Sequence, residues 1–546
     1  MAYALWIAVL DSLRFDNSAL RELPVDPDLR NFPRGRPNIC VSRVDPTPVA
    51  APDLLTWVPE VAALLGLPGQ LDATTRSAAA AAFAGNTVLP GSEPFASRYG
   101  GHQFGHWAGQ LGDGRAISLG EVLAPDGQRW ELQLKGAGPT PYSRGGDGRA
   151  VLRSSLRELI CSEAMAHLGV PTTRALSLVV TGDPVVRDMF YDGRARPEPG
   201  AIVCRVAPSF LRIGHFEILA AQGELEALQA LLRHTLRRHE PDLAALPERD
   251  AAVAMFDRVC QRSVTLAAHW QRVGFVHGVL NTDNLSMLGL TIDYGPYGWL
   301  EGYDPGWTPN TTDANGRRYR FGAQPDVVLW NLVQLANALY PLIRDVAPLQ
   351  AVLDRAQAQT ARAQAAMVAA KLGLPSLDDD EDAAIADGLW RVFAASEIDM
   401  TLLFRALGDW PAAADAADPA GVAPNALAGF AEAFYDRAAF DDDRATSAGS
   451  ALRAWLQRYR RRVVALGLDD ATRRAAMHAV NPAVVPRNYL AQLAIDRAEQ
   501  GDASGIEELL EALRRPYEVP ADPRWMAKRP EWARHRPGCS MLSCSS

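Results

Sequence analysis

Lysine is almost missing from this 546-residue chain: Lys135, Lys371 and Lys528 are the only three among 55 basic residues, and arginine supplies the rest. A GC-rich genome produces such a bias, so each surviving lysine marks a place that suits a compact point charge better than a planar fork. Cysteine is sparse as well. The six thiols, at 40, 161, 204, 260, 539 and 544, form no C-x-x-C pair and no cluster with histidine at zinc spacing. That argues against a disulfide framework and a structural zinc, and it fits a reducing cytoplasm. Positive charge is not in excess. The net charge is −9, which speaks against a nucleic-acid partner. No uninterrupted apolar run reaches the roughly 18 residues of a membrane span, so no membrane partner is expected. The stretch Met1–Leu10 is apolar but has no basic leader and no small-residue cleavage site, and no secretory signal is expected there. With 48% apolar and 22% charged residues the composition is globular, and the length asks for two or three packed lobes.

What is present centres on His277-Gly278-Val279-Leu280-Asn281-Thr282-Asp283-Asn284, followed by Ile292-Asp293-Tyr294-Gly295. Protein kinases carry a His-x-Asp catalytic loop, an Asn five residues after that Asp, and a second Asp at an apolar strand end. The first Asp accepts the substrate hydroxyl proton, while the Asn and the second Asp hold metal on the nucleotide phosphates. Here His277 and Gly278 are in place, and Asn284 and Asp293 supply both metal ligands, but Val279 stands where the base belongs. A valine takes no proton. The nearest carboxylate, Asp283, is displaced by four residues. The pattern predicts either a dead site or a different phosphate chemistry.

Upstream, the alternation Trp130-Glu-Leu-Gln-Leu-Lys135 predicts a strand, paired through an Asp126-Gly127 turn with a strand over Ala116–Val122. Lys135 then occupies the place of the kinase lysine that meets nucleotide phosphates. The glycine-dense Ser97–Arg115 ahead of it is where backbone N–H groups approach phosphate, with Arg115 adding charge. A helix is predicted from about Arg149 to Leu168, with Asp147 as its cap. Glu158 lies on it, 23 residues after Lys135, as an ion-pair partner for that lysine or as an ordinary exposed helix charge. Strands follow over Ala175–Thr181 and Ala201–Val206. Arg205 and Arg212 after them read as surface charges or as a bidentate phosphate clamp. Beyond a helix over Ala252–Arg272 and the central motif, the chain is predicted helical near 327–339, 346–371, 384–408, 424–436, 447–465 and 488–515. The acidic runs Asp378–Asp382 and Asp441–Asp443 read as solvated caps or loops, and Pro411–Pro424 as a surface linker.

The blocks Ser97–Arg115, Gln133–Arg157, His277–Asp304 and Asn481–Tyr489, with the terminal Cys544-Ser545-Ser546, closely resemble the selenoprotein O (SelO) family of protein adenylyltransferases. The resemblance runs over nearly the whole chain. It implies an α+β, protein-kinase-like bilobal fold, once called a pseudokinase, with a mixed α/β N-lobe and a mainly helical C-lobe. The expected divisions are an N-terminal extension over 1–95, the N-lobe over 96–210, the C-lobe over 211–410 and a helical C-terminal extension over 411–546. It implies ATP bound in flipped orientation and AMP moved onto Ser, Thr or Tyr hydroxyls of proteins, with UMP from UTP also known in the family. By position, Gly112, Gly114, Arg115, Lys135, Asp147, Gly148, Arg205, Arg212 and Asp293 would bind nucleotide. Glu158 would pair with Lys135, Asp283 would accept the proton, and Asn284 and Asp293 would hold Mg²⁺ or Mn²⁺. Many relatives carry selenocysteine third from the end, where this chain has Cys544; a free surface thiol on a disordered tail is expected. A phosphotransferase using Asp283 as a shifted base, and a non-catalytic nucleotide-binding scaffold, are the alternatives.

Overall fold

The computed structural model describes residues 10, 12–413, 424–441 and 447–543. Cys544, most of Met1–Leu10, most of the linker expected at Pro411–Pro424, and Asp442 and Asp443 of the second acidic run lie outside the described residues.

The β7 strand (Ala116–Leu123) and β8 (Arg129–Lys135) form the expected hairpin. Gly127, at φ +83°, supplies the left-handed turn, and the Gln128 N–H bonds to Asp126 Oδ1 at 2.9 Å. Period-2 alternation sends Leu132 and Leu134 into the core and puts Glu131, Gln133 and Lys135 on the other face. All three of these polar residues are also buried, an uncommon state for charged side chains and the first physical sign of a working surface. The hairpin is part of an eight-stranded antiparallel sheet. Its path is β2 (Val41–Arg43), β4 (Phe95–Ser97), β7, β8, β10 (Arg196–Ala207), β9 (Arg174–Arg187) and β3 (Asp53–Trp57), with β1 (Arg14–Phe15) paired to β7. The segment before residue 95 therefore contributes three strands, β1, β2 and β3, to this sheet. A separate hairpin, β5 (Gly100–Gln103) and β6 (His106–Gln110), stands off the sheet, and β11 (Phe275–Val276) pairs with β12 (Gly298–Trp299).

The C-terminal region is helical. The long helices Glu248–Val273, Gln324–Ile343 and Val346–Leu372 pack on one another around a second apolar cluster. The segment Phe321–Ile343 is long and apolar enough to cross a membrane by length and composition, with half of its apolar window buried inside the protein. The helices predicted near 384–408 and 488–515 are each two helices: Asp380–Ala395 and Met400–Asp409, then Asn488–Ala498 and Ser504–Leu513. Asp399 breaks the first by capping a new start, accepting from Leu402 N at 3.0 Å. The 424–436 prediction is a 3₁₀ stretch, Pro424–Ala433, and the unassigned segments 213–239 and 470–480 contain helices. The Asn488–Ala498 and Ser504–Leu513 helices return to the sheet's core and pack on the Leu152–His167 helix. The start of the Asn488–Ala498 helix is tied to the start of the Met400–Asp409 helix by an ion pair, Arg487 to Asp399 at 2.6 and 3.1 Å with both side chains buried, beside Asn488, which bonds both backbone groups of Trp299.

Candidate functional site

The register of β8 against β10 sets Gln133 directly opposite Arg205, with Lys135 two residues along on the same face. Lys135 Nζ donates to Glu158 Oε2 at 2.6 Å, Arg205 Nη1 donates to Glu158 Oε1 at 3.1 Å, and Arg205 Nη2 donates to Gln133 Oε1. One helix carboxylate thus holds two strand cations. Arg205 and Arg212 are each only 3% exposed, which removes the surface-charge reading for both. Arg212 stands at the N-cap position of the helix Ile213–Ala221; its guanidinium lies 4.7 Å over the Tyr99 ring and donates to the Asp283 carbonyl at 3.0 Å.

Asp293 sits 3.8 Å from Lys135 Nζ with a third of its side chain exposed. Its φ of +59° is left-handed, a conformation that Asp tolerates better than most residues. Although burial opposes ionisation, the cations Lys135, Arg212, Arg205 and Arg115 hold its carboxyl well below the usual range. Asp283 behaves in the opposite way. Burial pushes its carboxyl up to about 7, against the pull of Arg212 and with help from Asp293. Its Oδ1 is buried with no hydrogen-bond partner. Asn284 Nδ2 donates to Val279 O at 3.0 Å, which leaves the amide oxygen as the end able to act as a ligand. His277 is a strut: burial keeps it neutral, and its Nε2 joins Ile292 O at 2.9 Å, tying the Asp283 loop to the Asp293 loop.

The glycine loops close the opposite side. Gly112, at φ +138°, packs so tightly that a Cβ would stand 2.6 Å from Tyr142 Cγ, and a Cβ on Gly148 would overlap the carbonyl of Gly138. Asp147 is not the helix cap. The helix begins at Leu152 with Val151 at its N-cap, and Asp147 instead accepts from Arg149 N and holds Arg187 through both carboxylate oxygens at 2.7 Å. The run of flexible glycines before residue 149 lets the chain turn away before the helix starts, so Asp147 is left on the loop.

These elements enclose a cleft of about 1300 Å³, part of it open to solvent. Gly112, Gly114, Arg115, Lys135, Asp147, Gly148, Arg205, Arg212 and Asp293 all line it. Glu158, Asp283 and Asn284 stand just behind the wall, each 6% exposed or less. Seven cations line the cleft (Arg115, Lys135, Arg144, Arg149, Arg187, Arg205 and Arg212) against three carboxylates, Asp113, Asp147 and Asp293. Sequence reasoning missed several wall residues. Asp113 was findable from its place inside the glycine loop, whereas Arg187 and Tyr191 carry no local signal.

Among the described residues no three His, Cys, Asp or Glu side chains form a metal cluster. The donors on hand are the Asp293 carboxylate and the Asn284 amide oxygen, hard oxygen ligands of the kind Mg²⁺ and Mn²⁺ accept, and two protein ligands suffice where substrate phosphates complete the shell. The residues fit such an ion.

An arginine-rich cleft with buried cations in its wall and an ionised Asp among them defines a protein built to receive a polyanion. The chain belongs to the SelO family, whose model, protein adenylyltransferase SelO, matches residues 36–514. It is 57% identical over 537 residues to the protein nucleotidyltransferase YdiU of Xanthomonas campestris pv. campestris (strain 8004), covering 98% of this chain and 99% of that one. Identity is 56% over 535 residues, with the same coverage, to the protein of that name from Azoarcus sp. (strain BH72). It is 53% over 543 residues, covering 98% of this chain and all of the relative, for that of Aromatoleum aromaticum.

Proposed function

We propose that this protein transfers AMP from ATP to Ser, Thr or Tyr hydroxyls of proteins and releases pyrophosphate. The observation that carries the reading is the pairing of three buried cations, Lys135, Arg205 and Arg212, with a valine at the kinase base position. Cations buried at the back of the cleft suit a triphosphate whose β and γ phosphates point inward. That orientation leaves the α-phosphorus toward the acceptor and makes pyrophosphate the leaving group, where preorganised positive charge counts most. The acceptor oxygen forms a bond to the α-phosphorus, the bond from that phosphorus to the bridging oxygen breaks, and pyrophosphate departs with the electron pair. The acceptor proton goes to Asp283, whose carboxyl at about 7 is poised for exchange near neutral pH. Arg115, Asp147, and the backbone at Gly112, Gly114 and Gly148 line the outer part of the nucleotide. Asn284 and Asp293 would hold Mg²⁺ or Mn²⁺, which supplies charge neutralisation on the phosphates when bound.

The layout supports a kinase-like bilobal arrangement, with 96–210 as the N-lobe, 211–410 as the C-lobe, and 1–95 and 411–546 as extensions. UTP offers the same triphosphate, so UMP transfer follows the same path. Incubation of the protein and an acceptor with ATP labelled at either the α or the γ phosphorus tests the proposal. Adenylyl transfer deposits only the α label. Deposition of the γ label would make the protein a phosphotransferase instead.

A further inference from the structure

The β5–β6 hairpin covers the Asp283 loop and also forms one wall of a second groove. Toward the loop, His102 N donates to Thr282 Oγ1 at 2.7 Å and Phe104 N to Asn281 Oδ1 at 3.2 Å. Gly101 lies against the Asp283 carboxylate, where a Cβ would stand 2.7 Å from Oδ1. On its other side the hairpin faces the helices Ile213–Ala221 and Gln324–Ile343 across a groove of about 780 Å³, whose walls include His102, Trp107, Glu217, Asn337 and Pro341. The groove runs on past Ala220 and Pro341 to Tyr340, and Trp107 and Tyr340 are 41% and 46% exposed along it.

Glu217 is the unusual member of this groove. Its Oε1 meets His102 Nδ1 at 2.7 Å, and the His102 ring is itself packed between Trp107 and Trp330, at 5.2 and 5.4 Å. Its Oε2 is buried without a hydrogen-bond partner. A carboxylate oxygen buried without a donor is costly, and the cost is relieved when a ligand brings a cation or N–H to it. An occupant of this groove therefore lies one strand away from the proposed proton acceptor, touching the element that covers it. We infer that this groove seats the acceptor protein, and that Glu217 pairs there with a Lys or Arg flanking the hydroxyl to be modified; this rests on the adenylyl-transfer reading above. The exposed Trp107 and Tyr340 give the rest of the segment an apolar bed.

The test measures α-³²P transfer from ATP to a basic acceptor protein (histone) and an acidic one (casein), with KM and kcat determined separately for each. Synthetic Ser, Thr and Tyr peptides with Arg or Glu at successive flanking positions are run beside them. Wild type is expected to favour the basic acceptors. Glu217→Gln should erase that preference by raising the basic-acceptor KM about tenfold, a loss of about 1.4 kcal/mol, with the KM for ATP unchanged. Trp107→Ala should raise the acceptor KM for basic and acidic acceptors alike. If Glu217→Gln keeps the wild-type preference, or Trp107→Ala leaves every acceptor KM in place, the acceptor sits elsewhere and the groove assignment is overturned while adenylyl transfer stands. If wild type deposits no α label on any acceptor or on itself, the transfer reading fails and this inference falls with it.

Discussion

Lys135 and Glu158, 23 residues apart, meet at 2.6 Å, and the other oxygen of the same carboxylate accepts from Arg205 at 3.1 Å. Two positive charges against one negative leave the buried trio with a net charge of +1 beside the cleft. Lys135→Ala is expected to lower kcat/KM for α-label transfer by about 10²–10³, the usual cost of losing one preorganised charge. Lys135→Arg should not rescue it, because a planar guanidinium does not fit a buried position wedged between Glu158 and Asp293. Recovery of the arginine variant to near wild-type rates would show that any cation serves there.

Asp293 is the ionised carboxylate at the cleft floor, and its left-handed φ of +59° limits which residues can replace it without disturbing the backbone. Asn tolerates that conformation, so Asp293→Asn removes the charge and leaves the loop geometry intact. Transfer is expected to drop by at least about a hundredfold, and chelation of divalent ions should have the same effect on the wild type. Circular dichroism of the variant should match the parent. Undiminished transfer by Asp293→Asn would exclude this carboxylate from metal or phosphate binding.

The Lys135 strand and its hairpin were legible because each follows from local periodicity: alternation for the strand and an Asp-Gly turn. Helical spacing placed Glu158 on a helix but left open whether it meets Lys135 or solvent. The His277–Asp293 motif was legible from spacing alone. Arg205 and Arg212 were not, since an arginine becomes a buried side chain only when the fold brings it partners. Those partners, Glu158, Gln133, the Tyr99 ring and the Asp283 carbonyl, come from other elements whose register no local pattern encodes. Asp147 failed as a cap for a related reason. Its carboxylate is claimed by Arg187, 40 residues away on β9. The hairpin over Asp283 was invisible because its strands read as part of one glycine-rich loop.

Gly101 has its Cβ space filled by Asp283. The hairpin cannot retreat freely, being hydrogen-bonded to Thr282 and Asn281 through its backbone. Gly101→Ala should therefore displace the Asp283 carboxylate and cut kcat by about a hundredfold, the size of effect a misplacement of about 1 Å produces. Nucleotide affinity, measured by calorimetry, should stay within about twofold. Gly429→Ala is the control: like Gly101 it lies outside the left-handed region, but nothing lies within 4 Å of the added Cβ. Equal losses in the two variants would show that the contact with the Asp283 carboxylate is not the cause.

Glu131 and Glu121 face each other across β8 and β7 at the edge of a small cavity of about 40 Å³. Burial pushes the Glu131 carboxyl up to about 8, and the Glu121 charge adds to the shift. The native state therefore keeps a proton that the unfolded chain releases near 4.5. The stability this confers is complete below pH 4.5 and is lost as pH rises through about 8, with a slope of up to about 1.4 kcal/mol per pH unit. Arg98, Arg129, Arg238 and His234 also line the cavity, as do His215 and His239, which burial holds down to about 3. Those two histidines act in the opposite direction below their ordinary 6.5, but they are common to wild type and variant. Glu131→Gln keeps an acceptor for the Phe210 N–H, now at 3.1 Å, and removes the proton. Urea unfolding of the two proteins across this pH range should show the wild type losing stability more steeply than the variant. Parallel curves would mean that Glu131 ionises in the folded protein as an ordinary carboxylate.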